Sequence, residues 1–342
     1  MTVAFGLDTF GDVTTSLDGA VLSQAQVLRN VLDEAILADS VGVDYFGVGE
    51  HHREDFAVSA PEVVLAAIAT RTKNLRLGSA VTVLSSDDPV RVYQRFTTLD
   101  ALSGGRAEVT LGRGSFTESF PLFGFELADY EVLFDERLNL FAELVKELPV
   151  TWSGTTRSAL SGQMVYPLTE SGNLRTWVGV GGSQESVIRA ASYGFPLMMA
   201  IIGGSPTHFR PLVDLYFRAL EHYGHGPQMV GVHSPGYVGR TDAEARAELW
   251  PHMEQMRNRI GRERGWPPIS TEEFEHSCGP EGSWYVGAPE TVAKKIAATI
   301  QTLGLSRFDL KYSVGSMPHE HLMGSIERYG TSVIPRVREL LT

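Results

Sequence analysis

Apolar and polar positions alternate along this chain in two periods that keep replacing one another. Short apolar runs bounded by turn residues read as buried strands over residues 3–8, 44–49, 75–83, 106–111, 176–180, 197–202, 229–233 and 308–312. Between them apolar residues recur at helical spacing, as at Val27, Val31, Ala35 and Ala38, or at Val292, Ile296, Ile300 and Leu303. Pro61, Pro89 and Pro289 stand near helix starts, where a missing N–H costs nothing. Gly194 and Gly304 stand where helices should stop.

Strands separated throughout by helices predict a parallel sheet covered by helices. Eight of them are enough to close a (β/α)8 TIM barrel, and 342 residues fit such a barrel with insertion segments. The rival is a doubly wound open sheet. That fold would be better supported by a GxGxxG turn after the first strand, where this chain has Phe10-Gly11-Asp12. No repeat, low-complexity tract or linker divides residues 1–342, so a single domain is expected. Two segments break the rhythm. Residues 149–175, rich in Ser, Thr and Gly, read as a hairpin-like or irregular insertion; residues 261–286 carry Pro267, Pro268, Gly279, Pro280 and Gly282 and read as a second. Loops of this length usually serve as lids or binding loops.

Composition narrows the function. With 43% hydrophobic and 20% charged residues the chain can bury a large core. It has no long apolar run and no leader-like N-terminus, which predicts a soluble, cytoplasmic protein without a membrane partner. Cys278 is the only cysteine, so an intramolecular disulfide and a CxxC site are excluded. The net charge of −12, with no basic cluster, excludes a nucleic-acid backbone as partner and leaves a small molecule.

In a barrel the chemistry sits at the C-terminal ends of the strands. GEHH places Glu50, His51 and His52 at such an end. Adjacent residues of an extended chain point to opposite sides, and no histidine follows four residues later. Metal binding is therefore unattractive, which leaves a proton-handling role or a plain strand end. GxxxxGK[ST], GxSxG and HExxH are all absent. In VGVGGSQES a strand runs into Gly182 and Ser183 and a helix opens near Gln184. With Ser186 this is either a phosphate cradle built on free helix N–H groups or an ordinary N-capped turn. A similar turn at 286–295 ranks behind it, because Glu290 would repel an anion. Arg113, between glycines in TLGRGS, suits a phosphate through its planar fork. Its alternative is an ion pair with a carboxylate such as Glu118. The fourth and fifth strands of a barrel are neighbours, so Arg113 and the Gly182–Ser186 turn would converge.

GEHH, the block LRLGSAVTVLSSDDPVRVYQRFTTLDALSGGRAEVTLGRG at 75–114, WVGVGGSQES with ASYGFP at 177–196, and GAPETVAKK near the C-terminus resemble the bacterial luciferase-like flavin-dependent monooxygenase family. The resemblance runs over nearly the whole chain. It implies a (β/α)8 barrel, usually a homodimer, that binds reduced FMN, or F420 in some branches, at its mouth. It implies that Arg113 contacts the FMN phosphate and that Gly182, Ser183 and Ser186 complete the cradle. It further implies a non-prolyl cis peptide at Ala80–Val81 beneath the flavin ring, and His51 as the proton-handling group beside flavin and oxygen with His52 in support. Reduced FMN from a separate flavin reductase, O2 and a small organic substrate would be the reactants. Light-emitting members carry a cysteine where this chain has Gly112, and a tryptophan where it has Ile201. Long-chain aldehyde oxidation with light emission is therefore in doubt. Three other readings stay open: an F420-dependent hydride transferase, which would want a more basic mouth; a non-catalytic flavin-binding protein; and a barrel hydrolase using Glu50 with Asp8. Substrate-facing residues are expected in the two insertions.

Overall fold

The computed structural model describes residues 3–114 and 116–342. Its strands are β1 Ala4–Thr9, β2 Tyr45–Val48, β3 Arg76–Ser79, β4 Thr82–Val83, β5 Ala107–Gly112, β6 Val150–Trp152, β7 Leu160–Gln163, β8 Arg175–Val180, β9 Leu197–Ala200, β10 Val230–Val238, β11 Tyr285–Gly287 and β12 Arg307–Lys311. Its helices are α1 Gln24–Ser40, α2 Pro61–Ala69, α3 Pro89–Ser103, α4 Ser119–Phe123, α5 Tyr130–Leu144, α6 Gln184–Ser192, α7 Arg210–His222, α8 Asp242–Arg264, α9 Thr271–Cys278, α10 Pro289–Leu303, α11 His319–Arg328 and α12 Ile334–Leu340. No helix among the described residues is long and apolar enough to cross a membrane.

Eight strands pair in parallel in the cyclic order β1, β2, β3, β5, β8, β9, β10, β12 and back to β1. The sheet is closed, so the open-sheet alternative falls. Closure removes the unpaired edges that an open sheet would leave. Helices cover the outside with their apolar faces, such as Val27, Val31, Ala35 and Ala38 of α1.

Each expected strand has its counterpart, with three differences. The run 75–83 is two strands, β3 and β4, on either side of the Ala80–Val81 peptide, which is cis as the resemblance implies; β4 pairs with β5. Next, β10 continues to Val238, and Gly236–Val238 pair with β11. Residues 261–286 are accordingly no loop: α8 runs to Arg264, Gly265 closes it at φ 70°, and α9 and β11 follow. Third, 149–175 does contain an antiparallel hairpin, β6–β7, but the segment joins α5 to β8. A helix-to-strand connection lies at the N-terminal ends of the strands, opposite the mouth, so this insertion does not supply substrate-facing residues.

The lower half of the barrel interior is ionic. Glu108 on β5 is fully buried and receives the guanidinium of Arg307 together with Arg76 at 3.1 Å and Arg175 at 3.7 Å. Arg307 also binds Asp309 at 2.6 Å and lies 3.3 Å over the ring of Tyr45. Glycine is required at Gly6, where a Cβ would overlap the Asp309 carboxylate. Burial favours the protonated form of Glu108, but Arg307, Arg76 and Arg175 outweigh it and hold the carboxyl below its ordinary 4.5. For Asp309 burial wins over Arg307, and the group is pushed up to about 6.

Removing Glu108 would leave the buried Arg307 short of a partner. Glu108→Ala is expected to lose about 3 kcal/mol or more in urea unfolding at pH 7. Because the native carboxyl is depressed, its stabilisation is present above pH 4.5 and lost as pH falls through the lower native value. Glu108→Gln should therefore flatten the acid limb of the stability curve below pH 4.5.

Candidate active site at the mouth of the barrel

A cavity of about 330 Å³ opens at the C-terminal ends of the barrel strands. His51, Ala80, Val81, Arg113 and Ser186 line it, as do Gly112 and Gly181. Gly182 and Ser183 are not part of its wall; they form the turn directly behind it.

At one end Arg113 leaves β5 beside the start of α6. Ser183 is the N-cap: its Oγ accepts from the Ser186 N–H at 3.2 Å and donates to Ser186 Oγ at 2.8 Å. Arg113 Nη2 donates to the same Ser186 Oγ at 3.1 Å. Gly182 has φ 114°, a conformation that a side chain would strain, and a Cβ at Gly181 would meet nothing within 4 Å. A guanidinium, hydroxyls and a helix N-terminus thus face open space, a donor set that fits an anionic group. The N-cap reading of this turn holds, and the same serine supports Ser186, which faces the cavity. Arg113 pairs with Glu131 rather than the expected Glu118. Glu131 is 59% exposed and already shares Arg189 at 3.1 Å, so it can release Arg113 to an anion. The second-ranked turn at 286–295 is excluded as an anion site. The Ala288 N–H at the start of α10 donates to Asp242 Oδ1 at 2.7 Å, and Thr291 binds the same carboxylate.

The central wall is residues 80–83. Glycines give it room: a Cβ at Gly112 would lie 2.5 Å from Val81 Cγ2, and one at Gly49 2.6 Å from the Ala80 oxygen. Glu50 anchors the segment by accepting the Val83 N–H at 2.6 Å. Burial, with Glu62 and Asp87 adding repulsion, pushes the Glu50 carboxyl up to about 7. This acceptor role and the pairing of Asp8 with His233 engage both carboxylates of the hydrolase reading elsewhere.

The two histidines part to opposite sides, as extended backbone requires. His51 is buried among Phe10, Phe56 and Phe116, with ring centroids 4.6–4.8 Å away, and its Nδ1 lies 3.7 Å from Glu118. Burial opposes ionisation of Glu118, but the adjacent His51 imidazole and backbone N–H groups, that of His52 among them, outweigh this and hold the carboxyl low. His52 faces Glu50 at 3.8 Å and the ring of Phe123. Burial keeps its imidazole below the ordinary 6.5, against the pull of Glu118. Over His51 the 53–55 turn is tied to the end of α8. Arg53 forks onto Glu263 at 2.6 and 2.8 Å and lies 4.6 Å over the Phe116 ring, while Arg259 binds Glu54 at 2.8 Å.

Two features lie outside the sequence reading. His233 on β10 and Asp8 on β1 line the cavity as a pair, Nδ1 to Oδ2 at 2.7 Å, although 225 positions separate them. Strand-end position flagged each residue singly, and nothing in the sequence joined them. At the end of β9 the residue facing the mouth is Ile202, which is 62% exposed; Ile201 is buried in the core. Of the two, Ile202 and not Ile201 lines the cavity. Of the other histidines, His225 binds the Ser192 oxygen and His319 binds Glu34, both away from the cavity wall.

The raised Glu50 makes native stability fall as pH rises from 4.5 through about 7, by roughly 3 kcal/mol, because the folded state holds this proton more tightly. Glu50→Gln keeps an acceptor for Val83 without the charge. Thermal unfolding should show the variant more stable than wild type at pH 8 and equal to it at pH 5; the same offset at both would contradict the assignment.

A profile of the family described as luciferase-like monooxygenase matches residues 9–307. Among curated relatives, the alkanal monooxygenase alpha chain of Photorhabdus luminescens is 23% identical over 254 residues, covering 69% of this chain and 65% of its own. The N-acetyl-S-alkylcysteine monooxygenase of Bacillus subtilis is 31% identical over 188 residues, 54% of each chain. This chain thus spans less than two thirds of either relative. Among solved structures, monooxygenase RslO1 from Streptomyces bottropensis superposes with a TM-score of 0.83 at 22% identity, covering 97% of this chain and 99% of its own. The oxygenating constituent of 3,6-diketocamphane monooxygenase from Pseudomonas putida, in complex with FMN, gives 0.78 at 19%, covering 98% and 99%. The coenzyme F420 dependent tetrahydromethanopterin reductase of Methanopyrus kandleri gives 0.74 at 16%, covering 98% and 100%.

Proposed function

The chain belongs to the luciferase-like monooxygenase family, and we propose that within it this protein is an FMN-dependent monooxygenase that uses reduced FMN and O2 on a small organic substrate. The observation that carries this reading is the convergence of Arg113 and Ser186, 3.1 Å apart, on the open space above Gly181. Those donors, with Ser183 and the first N–H groups of α6, would hold the phosphate, while Ala80 and Val81 would lie against the ring. Bound reduced FMN supplies the electrons for oxygen activation. The protein's share is positioning, proton handling and exclusion of water. His51 is the group placed to hold or move a proton, with Glu118 beside it and three phenylalanine rings limiting solvent access.

F420 fits less well. It carries carboxylates beyond its phosphate, and Glu131, Asp135 and Glu185 stand around Arg113, Arg189 and the start of α6. A mere flavin store needs the cradle alone and gives no use for a histidine enclosed as His51 is. The reading extends to a cytoplasmic homodimer supplied with reduced flavin by a separate reductase.

Titration of the purified protein with FMN and with F420, followed by flavin fluorescence, tests the cofactor. FMN is expected to bind more tightly; tighter F420 binding would replace the proposal. Loss of a charged hydrogen-bond donor in Arg113→Ala should weaken FMN about 30-fold. His51→Ala should leave FMN affinity within about threefold and slow turnover by about a hundredfold or more. Equal effects of both variants on binding would remove the division of roles.

A further inference from the structure

Two clusters of polar groups stand on opposite sides of the cavity wall. Arg113 and Ser186 occupy the β5–β8 side; Asp8, His233 and Asp309 occupy the side of β1, β10 and β12. Around the barrel β9 separates the two sides on one flank, and β2 and β3 on the other. Between them the wall is apolar at Ala80, Val81, Val180, Met198 and Ala200, and carries Glu50 and His51 on the β2 flank.

On the far side the His233–Asp8 pair is oriented and incomplete. A carboxylate accepts, so His233 Nδ1 carries the hydrogen that bridges the 2.7 Å to Asp8 Oδ2. His233 Nε2 has no hydrogen-bond partner among the described residues. Asp8 is 1% exposed, and its second oxygen, Oδ1, is buried without a partner. A polar atom buried without a partner carries a cost, and His233 lines the cavity with a ring nitrogen free to bond a ligand. The charged groups facing His233 are Asp8 on β1 and Asp309 and Lys311 on β12; Asp309 is tied to Arg307, and Lys311 to Asp12 at 2.8 Å. Burial disfavours the imidazolium, but Asp8 with Asp309 outweighs it, against Lys311, and raises the His233 pKa above 6.5. Nδ1 is thus committed to Asp8, and Nε2 is the ring nitrogen left to meet a ligand.

An imidazole nitrogen held at a fixed place by a buried carboxylate complements a planar edge on which carbonyl oxygens alternate with N–H, since it can donate to the one or accept from the other. The pyrimidine edge of an isoalloxazine ring is such an edge. We infer that His233, held by Asp8, binds the pyrimidine edge of the flavin ring on the opposite side of the cavity from the Arg113–Ser186 cradle, with Asp8 as its positioning residue. This rests on the flavin reading above and adds a second pole to it.

Riboflavin, which has the ring and no phosphate, separates the poles. Its affinity is measured alongside that of FMN in wild type, His233→Leu, His233→Gln, Asp8→Asn and Arg113→Ala, with circular dichroism to check folding. His233→Leu should weaken riboflavin and FMN by the same factor, about tenfold, and Gln should restore part of it. Arg113→Ala should weaken FMN and spare riboflavin. In wild type, riboflavin should displace the titration of the His233 imidazole seen by nitrogen-15 NMR; in Asp8→Asn that titration should start at lower pH and respond less. If His233→Leu fails to fold, the Gln variant carries the comparison. Riboflavin affinity within twofold of wild type in the folded His233 variants, or an imidazole titration indifferent to riboflavin, overturns the inference while leaving the cradle standing. A wild-type protein that binds neither flavin overturns both.

Discussion

The guanidinium of Arg307 is the constraint around which the barrel is arranged. It stays charged under any condition in which the protein folds. Burying it inside eight strands therefore demands counter-charges at fixed places. Glu108 and Asp309 provide them, Tyr45 provides a ring face, and Gly6 leaves the room. Branched aliphatic layers usually fill such an interior; here an ionic plug does so from below. The cavity begins where that plug ends, and Asp309 belongs to both. Its carboxylate is bound to Arg307 underneath and lines the space in which a ligand would lie. The polarity of the cavity floor is thus a consequence of how the barrel was filled.

Above the plug, the mouth divides its tasks by strand. β5 and the turn after β8 carry the anion donors, β2 carries the histidines, and the β3–β4 segment forms a wall whose space depends on glycines from three other strands, Gly49, Gly112 and Gly179. Glycine at position 112 is accounted for locally: a side chain there meets Val81.

How much of this was readable beforehand follows from how local each signal is. Strands and helices of the barrel carry their period in a few consecutive residues, and eight strands with helical connectors leave few closed topologies. Arg113 and Ser186 could be paired in advance because the fold makes their strands neighbours. The break in 75–83 leaves no mark in an apolar run, since a cis peptide changes geometry and not hydrophobicity. α8 escaped notice because it buries little, chiefly Ala245, Leu249 and Met253, so its period is faint beside the prolines and glycines that follow. Ile201 and Ile202 show the cost of a one-residue uncertainty in a strand, where each step reverses the face. His233 and Asp8 depend on closure of the whole ring, which no local pattern encodes.

The tie between the 53–55 turn and the end of α8 has a consequence of another kind. It consists of arginine–carboxylate pairs and guanidinium–ring contacts at the surface, with Glu263 and Glu54 open to solvent. The barrel beneath is held by buried pairs and apolar contact, which dissolved ions barely reach. Salt thus acts on the two parts unequally. Rising ionic strength therefore weakens the tie between the 53–55 turn and α8 well before it reaches the buried pairs of the frame, so the two parts of the molecule differ in how far the solvent's electrolyte governs them.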